Sequence, residues 1–221
     1  MPSRLLDSLS PEDRSRLLST ARRRHFDRDE IVFREGDPGD SLHLIESGTF
    51  AVQVSGPAGD RATVNVLSSG GFFGELALLQ DPAFPRRTAT VVALAPAATL
   101  IVTGTAFTAL RAAHPAVERL VVAALAHRVE DLSSRLLEAL YTGVDRRVYR
   151  RLLDLADVYG TPSGPIVIPL AQRDLATMAG ASRPTVNQVL QRLVSRGVIT
   201  LGRRQITIDD LPALRAAAPD A

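Results

Sequence analysis

Several residue types that build particular kinds of site are missing from this sequence of 221 residues. Cysteine is absent, which excludes disulfide bonds, thiolate-bound metal ions and cysteine-ligated iron–sulfur clusters. No apolar run is long enough to span a membrane, and the first residues, MPSRLLDSLSPEDR, lack the apolar segment of a signal peptide. We therefore expect a cytoplasmic protein that has no membrane partner.

Lysine is absent too, so all 26 basic side chains are arginine. With 24 acidic residues the formal net charge is only +2, and this balance alone does not indicate nucleic-acid binding. Arg22, Arg23 and Arg24 stand together, but acidic residues follow them at once. We interpret this run as the solvated end of a helix.

The histidines do not form the pattern of a metal or haem site. His43 lies between leucines in an alternating segment, and no second histidine stands at ligand spacing. His114 and His127 lie in helical context without a partnered nucleophile, and the chain has no Walker motif. We expect no metal, haem or iron–sulfur cofactor and no enzymatic activity.

The most informative stretch runs from Gly71 to Val91 and reads GFFGELALLQDPAFPRRTATV. Glycines let a backbone approach a ligand closely, and a helix that begins at Glu75 would present free N–H groups to an anion. Arg87 and the Thr88 hydroxyl would add donors suited to phosphate. A carboxylate only accepts hydrogen bonds, so Glu75 indicates a ligand hydroxyl. Phosphate and sugar hydroxyl together suggest a cyclic nucleotide.

FGELALL followed by PRRTATV resembles the phosphate-binding cassette of cyclic-nucleotide-binding domains, and the whole chain resembles the CRP/FNR family of bacterial transcription regulators. The resemblance implies that Glu75 holds the ribose 2′-hydroxyl, while Arg87 and Thr88 hold the cyclic phosphate. The insert QDPAFP lengthens the spacing between glutamate and arginine, and it leaves open whether Arg86 or Arg87 faces the ligand. The cassette residues expected at the ligand are Phe73, Gly74, Glu75, Leu76, Arg87 and Thr88.

The N-terminal half predicts one helix and then a series of strands. Ser10-Pro11 followed by two acidic residues is typical of a helix start. From Glu30 to Thr103 short apolar–polar alternations are separated by glycine-containing turns, which favours a barrel or a sandwich. The resemblance makes this region a β-roll of the jelly-roll type.

A long helix is predicted from Val117 to Leu140, where no glycine or proline interrupts an apolar stripe with steps of three and four residues. The resemblance implies a two-stranded coiled coil that pairs two subunits and closes the ligand pocket. Arg128 then matches a position near the phosphate. Leu132 and Ser133 match two hydroxyl residues that contact adenine, and Leu132 lacks the hydroxyl.

A helix-turn-helix is predicted from Leu170 onwards. Gly180-Ala181 forms the turn, and Ser182 caps a second helix that runs to about Ser195 and carries base-reading residue types on its exposed side. GASRPTV is close to the family's own motif, although Pro184 replaces an acidic residue that the cAMP receptor uses, so the operator half-site is not assumed. A β-hairpin wing with two arginines suited to phosphate contacts follows. The expected DNA-binding residues are Arg173, Ser182, Arg183, Thr185, Asn187, Gln188, Gln191, Arg203 and Arg204.

Together with the resemblance, these patterns predict an α+β protein with an N-terminal cyclic-nucleotide-binding sensor domain over residues 1–114, a dimerisation helix over 115–143 and a winged helix-turn-helix over 144–221. The expected function is that of a homodimeric transcription regulator controlled by a cyclic nucleotide, with cAMP as the first choice. Its expected partner is a pseudo-palindromic operator in double-stranded DNA, and RNA polymerase is a candidate partner.

Two alternatives remain open at this point. The regulator could respond to another nucleotide such as cyclic di-GMP, or work without a ligand, because Leu132 and the longer cassette depart from the cAMP-binding pattern. A regulatory nucleotide-sensor subunit that never contacts DNA is the other alternative, and the predicted helix from Ser182 to Ser195 argues against it.

Overall fold

The computed structural model of the protein describes Leu6 and residues 9–56, 61–79, 85–160 and 164–218. The chain divides into two compact units: the first comprises Met1–Pro57 and Val66–Asp131, and the second comprises Ala58–Asn65 and Leu132–Ala221. Most of the cassette insert, residues 80–84, lies outside the described part of the chain. The division into three functional segments at residues 114 and 143 stays a prediction.

Eight strands run through the N-terminal region: β1 Arg22–Phe26, β2 Ile31–Phe33, β3 Ser41–Ser47, β4 Thr49–Ser55, β5 Arg61–Ser68, β6 Phe72–Phe73, β7 Thr90–Ala93 and β8 Ala97–Thr103. They form two four-stranded sheets with the orders β1–β8–β3–β6 and β2–β7–β4–β5. Phe26 and Ile45 of one sheet share an apolar cluster with Phe50 and Val91 of the other. The two sheets therefore enclose a common core, which confirms the predicted β-roll.

The arginine run from Arg22 to Arg24 is not the end of a helix, so that interpretation was wrong. Helix α1 spans Pro11–Thr20, starts from a Ser10 cap as predicted, and ends before the run begins. The three arginines belong to β1, which pairs antiparallel with β8. The extended conformation is set by this pairing with a strand more than 70 residues away, and a run of like charges carries no local signal for it.

Helix α4 spans Pro115–Tyr141 and contains the whole predicted helical stretch; it follows α2, Glu75–Leu79, and α3, Gly104–Ala113. Its first residues, Val117 and Val121, are buried in the first unit. Further along, apolar side chains are 50–64% exposed, among them Val129, Leu132, Leu136 and Leu140. None of the helices in the described ranges has both the length and the apolarity needed to cross a lipid bilayer.

The C-terminal region contains α5 Val144–Tyr159, β9 Ile166–Ile168, α6 Gln172–Met178, α7 Arg183–Ser195, β10 Ile199–Gly202, β11 Gln205–Ile208 and α8 Leu211–Ala217. The strands form an antiparallel sheet in the order β10–β11–β9. Val186, Val189, Leu190 and Leu193 of α7 are fully buried, so one side of this helix packs into the core of the domain. This arrangement confirms the predicted winged helix-turn-helix.

Candidate functional site

A pocket in the first unit brings together the residues of the predicted cassette. Seven of the predicted ligand residues line it, namely Phe73, Gly74, Glu75, Leu76, Arg87, Thr88 and Arg128. The sequence did not identify the other lining residues, which are Phe33, Val52, Ala77, Ala89 and Val91. Phe33 and Val52 come from β2 and β4, where the alternating pattern indicates an inward side chain but not the site it faces.

Arg87 lines this pocket and is only 4% exposed. Its Nη1 donates to the carbonyl oxygens of Ser41 at 2.7 Å and Gly74 at 3.2 Å, and its Nη2 donates to the Ser41 hydroxyl at 2.9 Å. The guanidinium also stacks over the Phe33 ring, 4.1 Å from its centroid. These contacts fix the position and plane of the cation.

The charge of Arg87 is incompletely compensated by the protein. Asp40 approaches it at 3.7 Å, but the Asp40 side chain is 90% exposed, and such an ion pair contributes little. The buried Nε of Arg87 has no hydrogen-bond partner among the described residues. Burial lowers the pKa of Arg87, yet the guanidinium stays protonated, and an anion in the pocket would stabilise it.

Gly74 is the residue that allows Arg87 to lie this close to the backbone. It has a φ of +92°, and a Cβ added there would lie 2.6 Å from Arg87 Nη1 and 2.8 Å from the Ser41 carbonyl oxygen. A larger residue would therefore be strained and would displace the guanidinium.

Glu75 and Arg128 form an ion pair across the pocket. Arg128 Nη1 donates to Glu75 Oε1 at 2.6 Å, and the Glu75 side chain is 3% exposed while that of Arg128 is 31% exposed. A ligand hydroxyl that donates to the buried carboxylate must share it with this arginine. Helix α2 has only five residues, so its dipole contributes less to anion binding than the predicted helix start implied.

An aromatic layer lies behind Arg87. His43 stacks on Phe73 with ring centroids 4.9 Å apart and planes 11° apart, and Phe33 packs against both rings. His43 Nδ1 shares a hydrogen bond with the Thr99 hydroxyl. Burial, with a smaller contribution from the positive charge of Arg87, lowers the pKa of His43 to about 3, so the ring is neutral at physiological pH.

The space left between these side chains measures about 40 Å³, which holds a few water molecules. Sites for small ligands typically measure about 300–1,000 Å³, so this space is smaller than a typical ligand site. Leu132 and Ser133 belong to the second unit, and their contact with adenine stays a prediction. Within the described residues, no three histidine or acidic side chains lie together as metal ligands.

The second unit contains the candidate nucleic-acid interface, built on α6 and α7. Gly180 follows the last turn of α6 with a φ of +58°, a left-handed conformation that suits glycine. Ser182 then caps α7, because its hydroxyl accepts from the Thr185 amide at 3.3 Å, and Pro184 lies in the first turn. Ala171 leaves α6 without a side-chain cap.

The exposed side of α7 carries the predicted base-reading residues. Arg183, Gln188 and Gln191 are exposed, and Asn187 is half-buried. Thr185 is partly engaged within the helix, because its hydroxyl hydrogen-bonds to the Ser182 hydroxyl at 2.8 Å. The polar side of this helix is therefore available to the edges of base pairs.

A groove beside α7 gathers three arginines from separate elements. Arg173 of α6, Arg183 of α7 and Arg204 of the wing line a cavity of about 390 Å³. Gln172 and Gln205 line it as well, and sequence reasoning missed both. The three positive charges suit contacts with the phosphate backbone of a nucleic acid.

The wing turn consists of Arg203 and Arg204, which connect β10 to β11 and are both exposed. Arg204 has a φ of +58°, which costs a non-glycine residue about 1–2 kcal/mol. An arginine at a position that favours glycine fits the predicted role of Arg204 in DNA binding.

Comparison with known proteins gives two family matches. The cyclic nucleotide-binding domain matches residues 23–114, and the Crp-like helix-turn-helix domain matches residues 146–217. A CRP-like cAMP-activated global transcriptional regulator of Mycobacterium tuberculosis is 31% identical over 196 residues, which cover 87% of this chain and 86% of that protein. The cyclic AMP receptor protein of Thermus thermophilus is 30% identical over 216 residues, 98% of this chain and 97% of that protein.

Among solved structures, the c-di-GMP responsive global regulator CLP of Xanthomonas campestris has a TM-score of 0.75 with this chain. The match covers 90% of this chain and 99% of that chain at 21% identity, and it shows a shared fold.

Proposed function

Because the chain belongs to the CRP/FNR family of cyclic-nucleotide-binding, DNA-binding transcription regulators, which are not enzymes, we propose that it is a homodimeric regulator whose operator binding is controlled by cAMP. The position of Arg87 is the observation that indicates the class of ligand. This buried cation keeps an unpartnered Nε beside a pocket that also contains the Glu75 carboxylate. A small anion with a hydroxyl complements both groups.

In the proposed complex, Arg87 and Thr88 hold the cyclic phosphate and Glu75 accepts a hydrogen bond from the ribose 2′-hydroxyl. Arg87 is preferred to Arg86, because Arg86 is exposed and donates to the Gly36 carbonyl oxygen outside the pocket lining. The ribose competes with Arg128 for Glu75, and Arg128 then turns its charge towards the phosphate. Effector binding in this way changes the environment of α4.

The dimer is proposed to form along α4. Val129, Leu132, Leu136 and Leu140 are spaced by three, four and four residues, and all are at least half exposed in the single chain. Steps of three and four residues place these side chains along one side of the helix, and a second copy of the chain would cover them in a two-stranded coiled coil. The effector favours the arrangement in which both α7 helices meet successive major grooves, ~34 Å apart.

In the proposed DNA complex, Arg183, Asn187, Gln188 and Gln191 read base edges, and Arg173, Ser182, Thr185, Arg203 and Arg204 contact the phosphate backbone. The regulator acts in the cytoplasm, where its DNA lies, and RNA polymerase is a candidate partner there. A nucleotide-sensor subunit that never binds DNA does not fit the match of residues 146–217 to the Crp-like helix-turn-helix domain.

The first experiment is a calorimetric titration of the purified protein with cAMP. We expect binding at one site per subunit. The second candidate effector is cyclic di-GMP, favoured by the missing hydroxyl at Leu132, and a parallel titration tests it. If neither nucleotide gives heat and neither competes for a fluorescent cAMP analogue, the cAMP proposal is rejected, and a DNA-binding regulator that acts without these ligands remains.

A further inference from the structure

Arg147, near the start of α5, connects the end of the long helix to the helix-turn-helix. Its Nη1 donates to the Thr142 carbonyl oxygen at 2.8 Å. Its Nε donates to the Ala179 carbonyl oxygen at 2.8 Å, and its Nη2 donates to that of Gly180 at 3.2 Å. Thr142 directly follows α4, whereas Ala179 and Gly180 form the turn between α6 and α7. One guanidinium therefore spans the junction from α4 to the DNA-reading motif.

The chemistry of these acceptors explains why an arginine stands there. The last carbonyl groups of a helix have no partner within the helix and carry the negative end of its dipole. Arg147 satisfies such carbonyls at the ends of α4 and α6 together. A planar fork with several donors can do this, whereas a lysine ammonium is a point charge that cannot span both helix ends.

Apart from Arg147, the junction is held by side-chain ion pairs and not by a cap at Gly143. Gly143 is the N-cap of α5, makes no side-chain cap, and would have no atom within 4 Å of an added Cβ. Side chains of α5 hold the helix to its neighbours instead. Glu138 of α4 accepts from Arg150 at 3.0 Å and from Arg151 at 2.8 Å. Asp145 accepts from Arg192 near the C-terminal end of α7.

We propose that Arg147 is a positioning residue that fixes the direction of α7 relative to the C-terminal end of α4. This inference rests on the proposed function, because its consequence appears in a dimer bound to a palindrome. The C-terminal end of α4 in each subunit orients one α7 helix towards one half-site. If α7 is misoriented in either subunit, the dimer cannot contact both half-sites at the same time. The core of the helix-turn-helix consists of buried apolar residues such as Val186, Leu190 and Leu193, so we expect its fold to survive the loss of Arg147.

The test compares two DNA duplexes, one carrying both half-sites and one carrying a single half-site. Both derive from sequences that the wild-type protein selects from a random library in the presence of cAMP. We measure the affinities of wild type, Arg147→Ala, Arg147→Lys and Arg146→Ala by fluorescence anisotropy. Arg146 is the matched control, because it is the neighbouring residue of equal charge and is exposed.

We expect Arg147→Ala to lower the ratio of full-site to half-site affinity by about tenfold, which corresponds to about 1.4 kcal/mol. Arg147→Lys keeps the charge and should restore only part of this ratio, while Arg146→Ala should leave it unchanged. The half-site affinity and the calorimetric affinity for cAMP should remain at the wild-type value in all variants.

Two results would overturn the inference while leaving the proposed function intact. Equal losses on the full site and the half-site would mean that Arg147 only stabilises the helix-turn-helix fold. An unchanged ratio in Arg147→Ala would mean that other contacts set the direction. If the wild-type protein itself selects no sequence, or binds full and half-sites equally, the proposed dimeric regulator fails, and this inference fails with it.

Discussion

Replacing Arg87 by alanine tests the ligand site most directly, because the adjacent Arg86 provides a matched control. Arg87→Ala and Arg86→Ala each remove one positive charge from the same segment. Arg87 is 4% exposed and makes hydrogen bonds to Ser41 and Gly74, whereas Arg86 is exposed and bonds to the Gly36 carbonyl oxygen. The two variants therefore differ in position relative to the pocket and not in the charge removed.

The expected magnitude follows from the contacts of Arg87. A hydrogen bond to a charged group contributes about 1.5–3 kcal/mol, and a guanidinium makes two of them with a phosphate. We expect Arg87→Ala to weaken cAMP binding by about 3 kcal/mol, which is roughly a hundredfold. The free energy of unfolding should also fall, by about 2 kcal/mol, because the Ser41 and Gly74 carbonyl groups lose their donor.

The assay is isothermal calorimetry with cAMP, carried out at a temperature at which differential scanning calorimetry shows each variant to be folded. Arg86→Ala should bind cAMP within about twofold of wild type, since an exposed charge near the site contributes little. Arg87→Lys should be intermediate, because it keeps the charge and loses the fork. An unchanged affinity in Arg87→Ala, or an equal loss in Arg86→Ala, would refute the assignment of the phosphate to Arg87.

Three further predictions concern the stability of the first unit, the arginines of the second unit and the exposed apolar side chains of α4. The pKa of His43 is about 3 in the folded protein against 6.5 when unperturbed, so between these values the unfolded state binds more protons and stability falls as pH falls. In urea denaturation, the free energy of unfolding of wild type should fall with decreasing pH by up to roughly 1 kcal/mol per pH unit more than that of His43→Gln in this window. Parallel plots of this free energy against pH for the two proteins would contradict the lowered pKa. Arg183→Ala should weaken binding to the selected site by about 1–3 kcal/mol and relax the sequence preference at one base pair. Arg204→Ala should weaken binding to all duplexes alike and reduce the slope of log affinity against log salt concentration by about 1, and identical selectivity in both variants would disprove this division of roles. Leu136→Glu should yield monomers in analytical ultracentrifugation, because it puts a charge into the proposed coiled-coil seam, and a persistent dimer would locate the interface elsewhere.

Local chemistry determined the features that sequence reasoning identified. Residues close in the chain set the turn at Gly180, the Ser182 cap and the position of Pro184 in the first turn. The apolar periodicity of α7 is likewise a local pattern. The ligand cassette is also recognisable, because Gly74, Glu75, Arg87 and Thr88 lie within one short stretch. Such features need no knowledge of the fold, since each residue type is required by its own backbone or by a neighbouring residue.

Contacts between distant segments were decided only by the tertiary structure. Strand pairing with β8 made the run from Arg22 to Arg24 extended, although its composition indicated no strand. The ion pair between Glu75 and Arg128 joins residues 53 positions apart, and Phe33 reaches Arg87 from another strand. Residue types and spacing do not encode such distances, because sheet register and helix packing fix them only once the whole core has formed.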